Sequence, residues 1–223
     1  MPEAIGVLGG TFDPVHYGHL RAAVEVRLAL DLPEMRLVPA GDPPHRGAPR
    51  ANATHRLAML ELAIADFPGL SIDRREIDRP GKSYTVLTLE ELRREMPLTP
   101  IALVLGADAF VGLPTWHRWE EVFALAHIVV VSRPGVVTAG ALPAALEKHW
   151  GERLRNDRRV LEIPAGGAIF ELQVTPQPIG STAIRRALAK GRAGREEVAG
   201  MLPRTVLSYI DHYHLYRPAP DAT

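Results

Sequence analysis

Ile5-Gly6-Val7-Leu8-Gly9-Gly10-Thr11-Phe12-Asp13-Pro14-Val15-His16-Tyr17-Gly18-His19-Leu20 decides how the rest of this chain is read. A short apolar run stops at two glycines, and a turn marked by Asp13-Pro14 follows. Two histidines then open a new apolar-periodic segment. The simplest reading is strand, glycine turn and helix. That order gathers backbone N–H groups and two imidazoles around one small volume at a helix N-terminus. Unpaired amides and the positive end of the helix dipole favour an anion there. The stretch therefore points to phosphate, and to a nucleotide as its carrier.

Working outward, apolar runs alternate with helix-like segments. Strands are expected at Ile5 to Leu8, Met35 to Pro39, Leu70 to Ile72, Ile101 to Leu105, Ile128 to Val131 and Ala168 to Val174. Helices are expected at Gly18 to Leu30, Thr54 to Ala65, Thr85 to Met96, Ala144 to His149, Ser181 to Ala189 and Arg204 to Tyr213. The last two read as joined by a linker containing Gly191 and Pro203. Runs that are apolar throughout suit strands buried on both faces. The alternation implies βαβ units with right-handed crossovers. The expected class is α/β, a Rossmann-like, doubly wound parallel sheet with helices on both faces and a small C-terminal helical extension. Residues 1–180 would form the sheet-bearing part and residues 181–223 the helical part of the same unit.

Composition narrows the function classes. Lys+Arg and Asp+Glu both number 26, so the formal net charge is zero, which argues against coating a polyanion such as nucleic acid. A local anion site remains compatible with that balance. The chain has no cysteine, which excludes disulfides, thiolate nucleophiles and cysteine-based zinc sites. No apolar run approaches the about 20 residues that span a bilayer, and no secretory signal pattern opens the chain. The expectation is a cytoplasmic protein that binds neither nucleic acid nor membrane, with homo-oligomerisation left open.

Gly9 and Gly10 permit close backbone approach by a ligand, although a glycine pair after a strand is also an ordinary tight turn. The sequence has neither G-x-G-x-x-G nor G-x-x-x-x-G-K-[ST], which weakens a dehydrogenase or P-loop reading. His16 and His19, at i and i+3, share one helix face. They fit three roles: a cap with a surface histidine, metal ligands lacking further partners, or donors to phosphate oxygens. In the last role anionic neighbours would favour the imidazolium. Far along the chain, Gly180-Ser181-Thr182-Ala183-Ile184-Arg185 reads as a helix start, with Ser181 as cap and Arg185 as a phosphate fork one turn in.

The Gly9-to-His19 stretch resembles the nucleotidyltransferase signature G-x-F-D-P-x-H-x-G-H, and Ser181 to Arg185 resembles that superfamily's second motif, S-[ST]-T-x-[IL]-R. Gly180 stands where a serine is frequent, so one hydroxyl contact is missing. Between the two motifs lie Pro43-Pro44-His45-Arg46, Pro80-Gly81-Lys82-Ser83-Tyr84-Thr85, Gly106-Ala107-Asp108, Pro114-Thr115-Trp116 and Ser132-Arg133-Pro134-Gly135. Their order is similar to that of bacterial nicotinate-nucleotide adenylyltransferases, as is the closing Leu215-Tyr216-Arg217. The resemblance runs from Ile5 to Arg217.

It implies adenylyl transfer from ATP to nicotinate mononucleotide, with His16, His19 and Arg185 as the catalytic set. ATP would meet Gly9, Gly10, Thr11, Phe12, His16, Gly18, His19, Arg46, Gly106, Asp108, Ser181, Thr182 and Arg185. The mononucleotide would meet Gly10, His45, Tyr84, Thr85, Asp108, Trp116 and Arg133. No metal would be bound by protein side chains alone; Mg²⁺ would come with the ATP phosphates. On their own chemistry, Trp116 suits stacking on a pyridine ring or loop packing. Asp108, just past a strand end, suits ribose hydroxyls or a helix cap. Thr85 reads as a helix N-cap, and the resemblance implies that amides of this segment hold the nicotinate carboxylate. His45 and Arg46 read as a phosphate clamp or a solvated loop. His55, His117, His127, His149, His212 and His214 read as structural. The alternatives are the amidated mononucleotide or phosphopantetheine as acceptor, and a non-catalytic adenine-nucleotide sensor.

Overall fold

Six strands form one parallel sheet in the order β3-β2-β1-β4-β5-β6: β1 Ile5–Gly10, β2 Glu34–Pro39, β3 Leu70–Ile72, β4 Ile101–Gly106, β5 His127–Ser132 and β6 Ile169–Gln173. The computed structural model describes residues 3–44, 48–132, 142–164 and 166–217. The order reverses between β1 and β4, which is the doubly wound arrangement expected from the sequence. Ligand crevices of such sheets open at this reversal, beyond the carboxyl ends of the strands.

Period-two alternation splits the strand residues between two cores. Met35, Leu37, Ala102, Val104, Val129 and Phe170 face one side. Ile5, Val7, Val38, Ile101, Leu103, Leu105, Ile128, Val130 and Ile169 face the other. The first side is covered by α1 (Tyr17–Ala29), through Leu20, Ala23 and Val26, and by α2 (Ala53–Ile64), through Met59, Leu60 and Ala63. The short α3 (Arg75–Asp78) follows β3. The second side is covered by α4 (Thr85–Glu95), through Val86, Leu89 and Leu92. There α5 (Ala107–Val111) adds Phe110, α6 (Val122–Leu125) adds Val122 and Phe123, and α7 (Ala144–Arg153) adds Leu146 and Trp150.

The C-terminal helices α8 (Ser181–Leu188), α9 (Arg192–Val198) and α10 (Arg204–His212) return to the α1/α2 side. Ile184, Ala187, Leu188, Val198, Val206, Leu207 and Ile210 join that core directly. The expected linker between the last two helices therefore contains a helix, α9. Gly194 lies in it where a Cβ would collide with the backbone of Ala187 in α8. The glycine that reads as a breaker is what lets two helices touch.

Among the described residues, no helix is long and apolar enough to cross a membrane. The six histidines read as structural include His127, which is 1% exposed. Its Nδ1 accepts from the Ala168 N–H at 3.3 Å, and its Nε2 lies 3.0 Å from the Ile163 carbonyl.

Candidate active site

β1 and β4 end side by side, at Gly9-Gly10 and Gly106, and a cavity of about 340 Å³ opens beyond them. Gly9, Gly10 and Thr11 form one wall, Gly106 and Asp108 another. Tyr84, Thr85 and Trp116 close it from the side of α4 and the loop after α5. Gly106 is the N-cap of α5, so the expected alternative of Asp108 as that cap does not hold. Tyr84, not Thr85, is the N-cap of α4; it makes no side-chain capping bond, and its carbonyl accepts from the Leu87 N–H of the first turn at 3.0 Å. The Tyr84 ring packs on His117, their centroids 4.4 Å apart.

A second cluster forms around the turn after Gly10. Phe12 has φ of 50° and its ring is buried, so only its backbone is available to a ligand. His16 is the N-cap of α1, Gly18 its second residue and His19 its third. The two imidazoles stack with centroids 3.7 Å apart, and the His16 N–H donates to His19 Nδ1 at 3.3 Å. In a neutral His19 ring this makes Nε2 the donor nitrogen.

His16 corrects one expectation. It is 5% exposed, and burial pushes its pKa down to about 4, so the ring is neutral near pH 7 rather than an imidazolium. Among the described residues its Nδ1 is buried without a hydrogen-bond partner.

The second motif meets the first here. Ser181 is the first residue of α8, behind the N-cap Gly180, and its hydroxyl donates to the Pro14 carbonyl at 3.0 Å. It is a cross-link to the turn, not the cap expected from sequence. Arg185 Nη1 donates to the Asp13 carbonyl at 2.6 Å, and Nη2 to Thr182 Oγ1 at 3.3 Å. The guanidinium thus stands beside the turn with its remaining N–H groups still available to an anion. His45, Arg46 and Arg133 lie outside the described residues.

Three residues to which the sequence reading gave no site role hold this turn. Asp13, 4% exposed, accepts from the N–H groups of Arg50 (2.8 Å) and Ala51 (3.1 Å) and from the Tyr216 hydroxyl (2.8 Å). Arg56, 1% exposed, donates to the carbonyls of Thr11 (2.8 Å), Gly41 (3.1 Å) and Ala51 (3.3 Å). Burial lowers the Arg56 pKa, with the Asp13 charge opposing that shift, while burial and Asp13 raise that of Tyr216. The sequence signals were faint: an Asp-Pro that reads as a turn marker, and an arginine on the buried stripe of α2.

The cytidylyltransferase-like family model matches residues 7–187. A relative from Dechloromonas aromatica, named a probable nicotinate-nucleotide adenylyltransferase, is 47% identical over 219 residues, 97% of this chain and 99% of its own. The chain belongs to the nicotinate-nucleotide adenylyltransferase family. Another member of that family, from Halorhodospira halophila, is 50% identical over 193 residues, covering 86% of this chain and 88% of its own. Among solved structures, Plasmodium falciparum nicotinic acid mononucleotide adenylyltransferase complexed with NaAD superposes with a TM-score of 0.72. It shares 16% identity over 96% of this chain and 97% of its own, a likeness of fold. The cavity and the histidine turn fall within the residues that the family model matches.

Proposed function

We propose that this protein transfers the adenylyl group of ATP to nicotinate mononucleotide, giving nicotinate adenine dinucleotide and pyrophosphate, as a cytoplasmic enzyme of NAD biosynthesis. One observation carries the proposal: two motifs far apart in sequence meet at one turn, through Ser181 on Pro14 and Arg185 on Asp13, next to a ring-sized cavity. The turn suits the triphosphate and the cavity suits the acceptor, with Gly9 to Thr11 as their shared wall.

A phosphate oxygen of the acceptor attacks the α-phosphorus of ATP. The new P–O bond forms as the bond to the β-phosphate oxygen breaks, and pyrophosphate leaves with that electron pair. The nucleophile is already anionic, so no protein base and no covalent intermediate are needed. What the protein supplies is alignment of two anions and donors for the growing charge. His19 Nε2–H, a neutral His16, Arg185 and the Gly18 N–H in the first turn of α1 serve the triphosphate. Arg46, Ser181 and Thr182 complete that side, and Gly106 lets the backbone approach the nucleotide. Asp108 accepts from ribose hydroxyls, Trp116 stacks on the pyridine ring, and the start of α4 receives its carboxylate. His45 and Arg133 belong to the acceptor side of the proposal.

Mg²⁺ would enter with the nucleotide and neutralise phosphate charge. It prefers oxygen ligands, and the carboxylate of the turn itself, Asp13, is buried and engaged by Arg50, Ala51 and Tyr216.

The test is pyrophosphate release from ATP and Mg²⁺ with nicotinate mononucleotide, nicotinamide mononucleotide and phosphopantetheine in parallel. The acid should give the highest kcat/KM. A faster reaction with either alternative overturns the acceptor assignment, and no release with any of the three overturns the enzymatic reading.

A further inference from the structure

Among the residues lining the cavity, beside Tyr84 and Thr85, is a carboxyl that the proposed reaction does not use. Glu76, the second residue of α3, is 8% exposed. It accepts a hydrogen bond from Thr88 Oγ1 at 2.6 Å and another from the Ser83 side chain. Thr88 sits one turn into α4, and Ser83 immediately precedes the N-cap Tyr84. One buried side chain therefore grips the chain on both sides of the helix start that faces the cavity.

Ser83 carries the grip onward to a second loop. Its Oγ accepts from the Gly41 N–H at 2.9 Å, and its own N–H donates to the Asp42 carbonyl at 2.9 Å. Lys82 closes the contact with an ion pair to Asp42 at 2.7 Å. Gly41 must be glycine here, because a Cβ would run into the Glu76 carbonyl oxygen. The segment Gly81 to Tyr84 has no helix or strand of its own to fix it. Its position against the cavity thus rests on these side-chain and backbone bonds. A buried carboxyl is costly unless its lone pairs are engaged, and both donors that engage Glu76 belong to the α4 start. The arrangement has the form of a buried polar network that fixes one geometry.

We infer that Glu76 is a positioning residue for the pyridine end of the acceptor, acting through Ser83 and Thr88 on the segment that carries Tyr84 and Thr85. The inference rests on the reading of this cavity as the nicotinate mononucleotide site. Glu76 does not touch the reacting phosphates, so its effect falls on the acceptor and not on ATP.

Steady-state kinetics of Glu76→Gln, Thr88→Val and Ser83→Ala, each varied in ATP and in nicotinate mononucleotide, test this. Glu76→Gln keeps the shape and an acceptor oxygen but loses one of the two charge-assisted bonds. It should raise the KM for the mononucleotide about tenfold, with kcat and the KM for ATP within about threefold of wild type. Thr88→Val removes the same link from the other end. Because both act on one network, the double variant should fall well short of the product of the single effects. Equal rises in both KM values, an unchanged acceptor KM, or multiplicative single effects would overturn the Glu76 role while leaving the proposed function standing. Wild-type protein that does not turn over nicotinate mononucleotide removes the proposed function, and the Glu76 role with it. If Glu76→Gln does not fold by circular dichroism, Thr88→Val and Ser83→Ala carry the same expectation and the same ways to fail.

Discussion

At the scale of single residues, the two histidines of the turn divide the work. His19 presents Nε2 as donor because its Nδ1 is held by the His16 N–H. Replacing it with alanine should lower kcat about a hundredfold or more, by analogy with removing one oxyanion donor, while the thermal melt stays near wild type. A near-normal rate in His19→Ala would take that ring out of the mechanism. His16 contributes differently. Its pKa falls from 6.5 unfolded to about 4 folded because the ring is buried. Between those values the unfolded chain binds the extra proton, so stability falls as pH drops from 6.5 toward 4 and levels off below. The full loss is on the order of 3 kcal/mol. Urea titrations at pH 7, 6, 5 and 4.5 should show a shallower acid limb in His16→Asn than in wild type. Parallel limbs would mean that the buried ring is not what sets it.

At the scale of elements, the strands and long helices were legible because their apolar periodicity has no competing reading. All six expected strands and all six expected helices appear, with ends shifted by at most two residues except in α7, which runs four residues past its expected end. Fraying and capping decide those ends, and they depend on neighbours that periodicity does not report. That is why Ser181 and Thr85 read as caps although Gly180 and Tyr84 hold those positions. The α9 segment was missed because Gly194 looks like a breaker until Ala187 is seen beside it. Most residues gathered at the cavity and the turn lie in quoted motifs, but the bonding roles of Asp13, Arg56 and Glu76 were not legible. Their importance lies in long-range hydrogen bonds that leave no local spacing. Arg56 is the clearest example, since α2 holds the loops after β1 and β2 through this one side chain. Arg56→Met should cost about 3 kcal/mol by leaving three carbonyls without their donor, and it should raise the KM values for both substrates. Unfolding in urea gives the first quantity and initial-rate kinetics the second; a loss under 1 kcal/mol would show that water replaces the guanidinium.

At the scale of the whole molecule, the C-terminal helices complete the site instead of merely following it. Met201 accepts from the Tyr17 N–H at 3.0 Å, which satisfies one of the open donors of α1. Tyr216 reaches Asp13, and Ser181 and Arg185 reach the two carbonyls beside it. Tyr216→Phe removes one hydroxyl and nothing else. It should cost 1 to 2 kcal/mol, about the worth of a hydrogen bond to a buried carboxylate. If that loosening reaches Arg185, the KM for ATP rises about fivefold while that for nicotinate mononucleotide holds. Equal changes in both would show that the C-terminal turn steadies the molecule generally and not the triphosphate side.

The bond from Tyr216 to Asp13 joins residues 203 positions apart. A ribosome adding about 5 to 20 residues each second needs about 10 to 40 s to cover that distance. For most of that time the glycine turn, its histidines and Arg56 already exist as polypeptide, yet Tyr216, which completes the bonding of Asp13, has not been made. The nascent chain thus carries a nucleotide signature it cannot yet use, and the site becomes competent only when synthesis has passed the residues that close it.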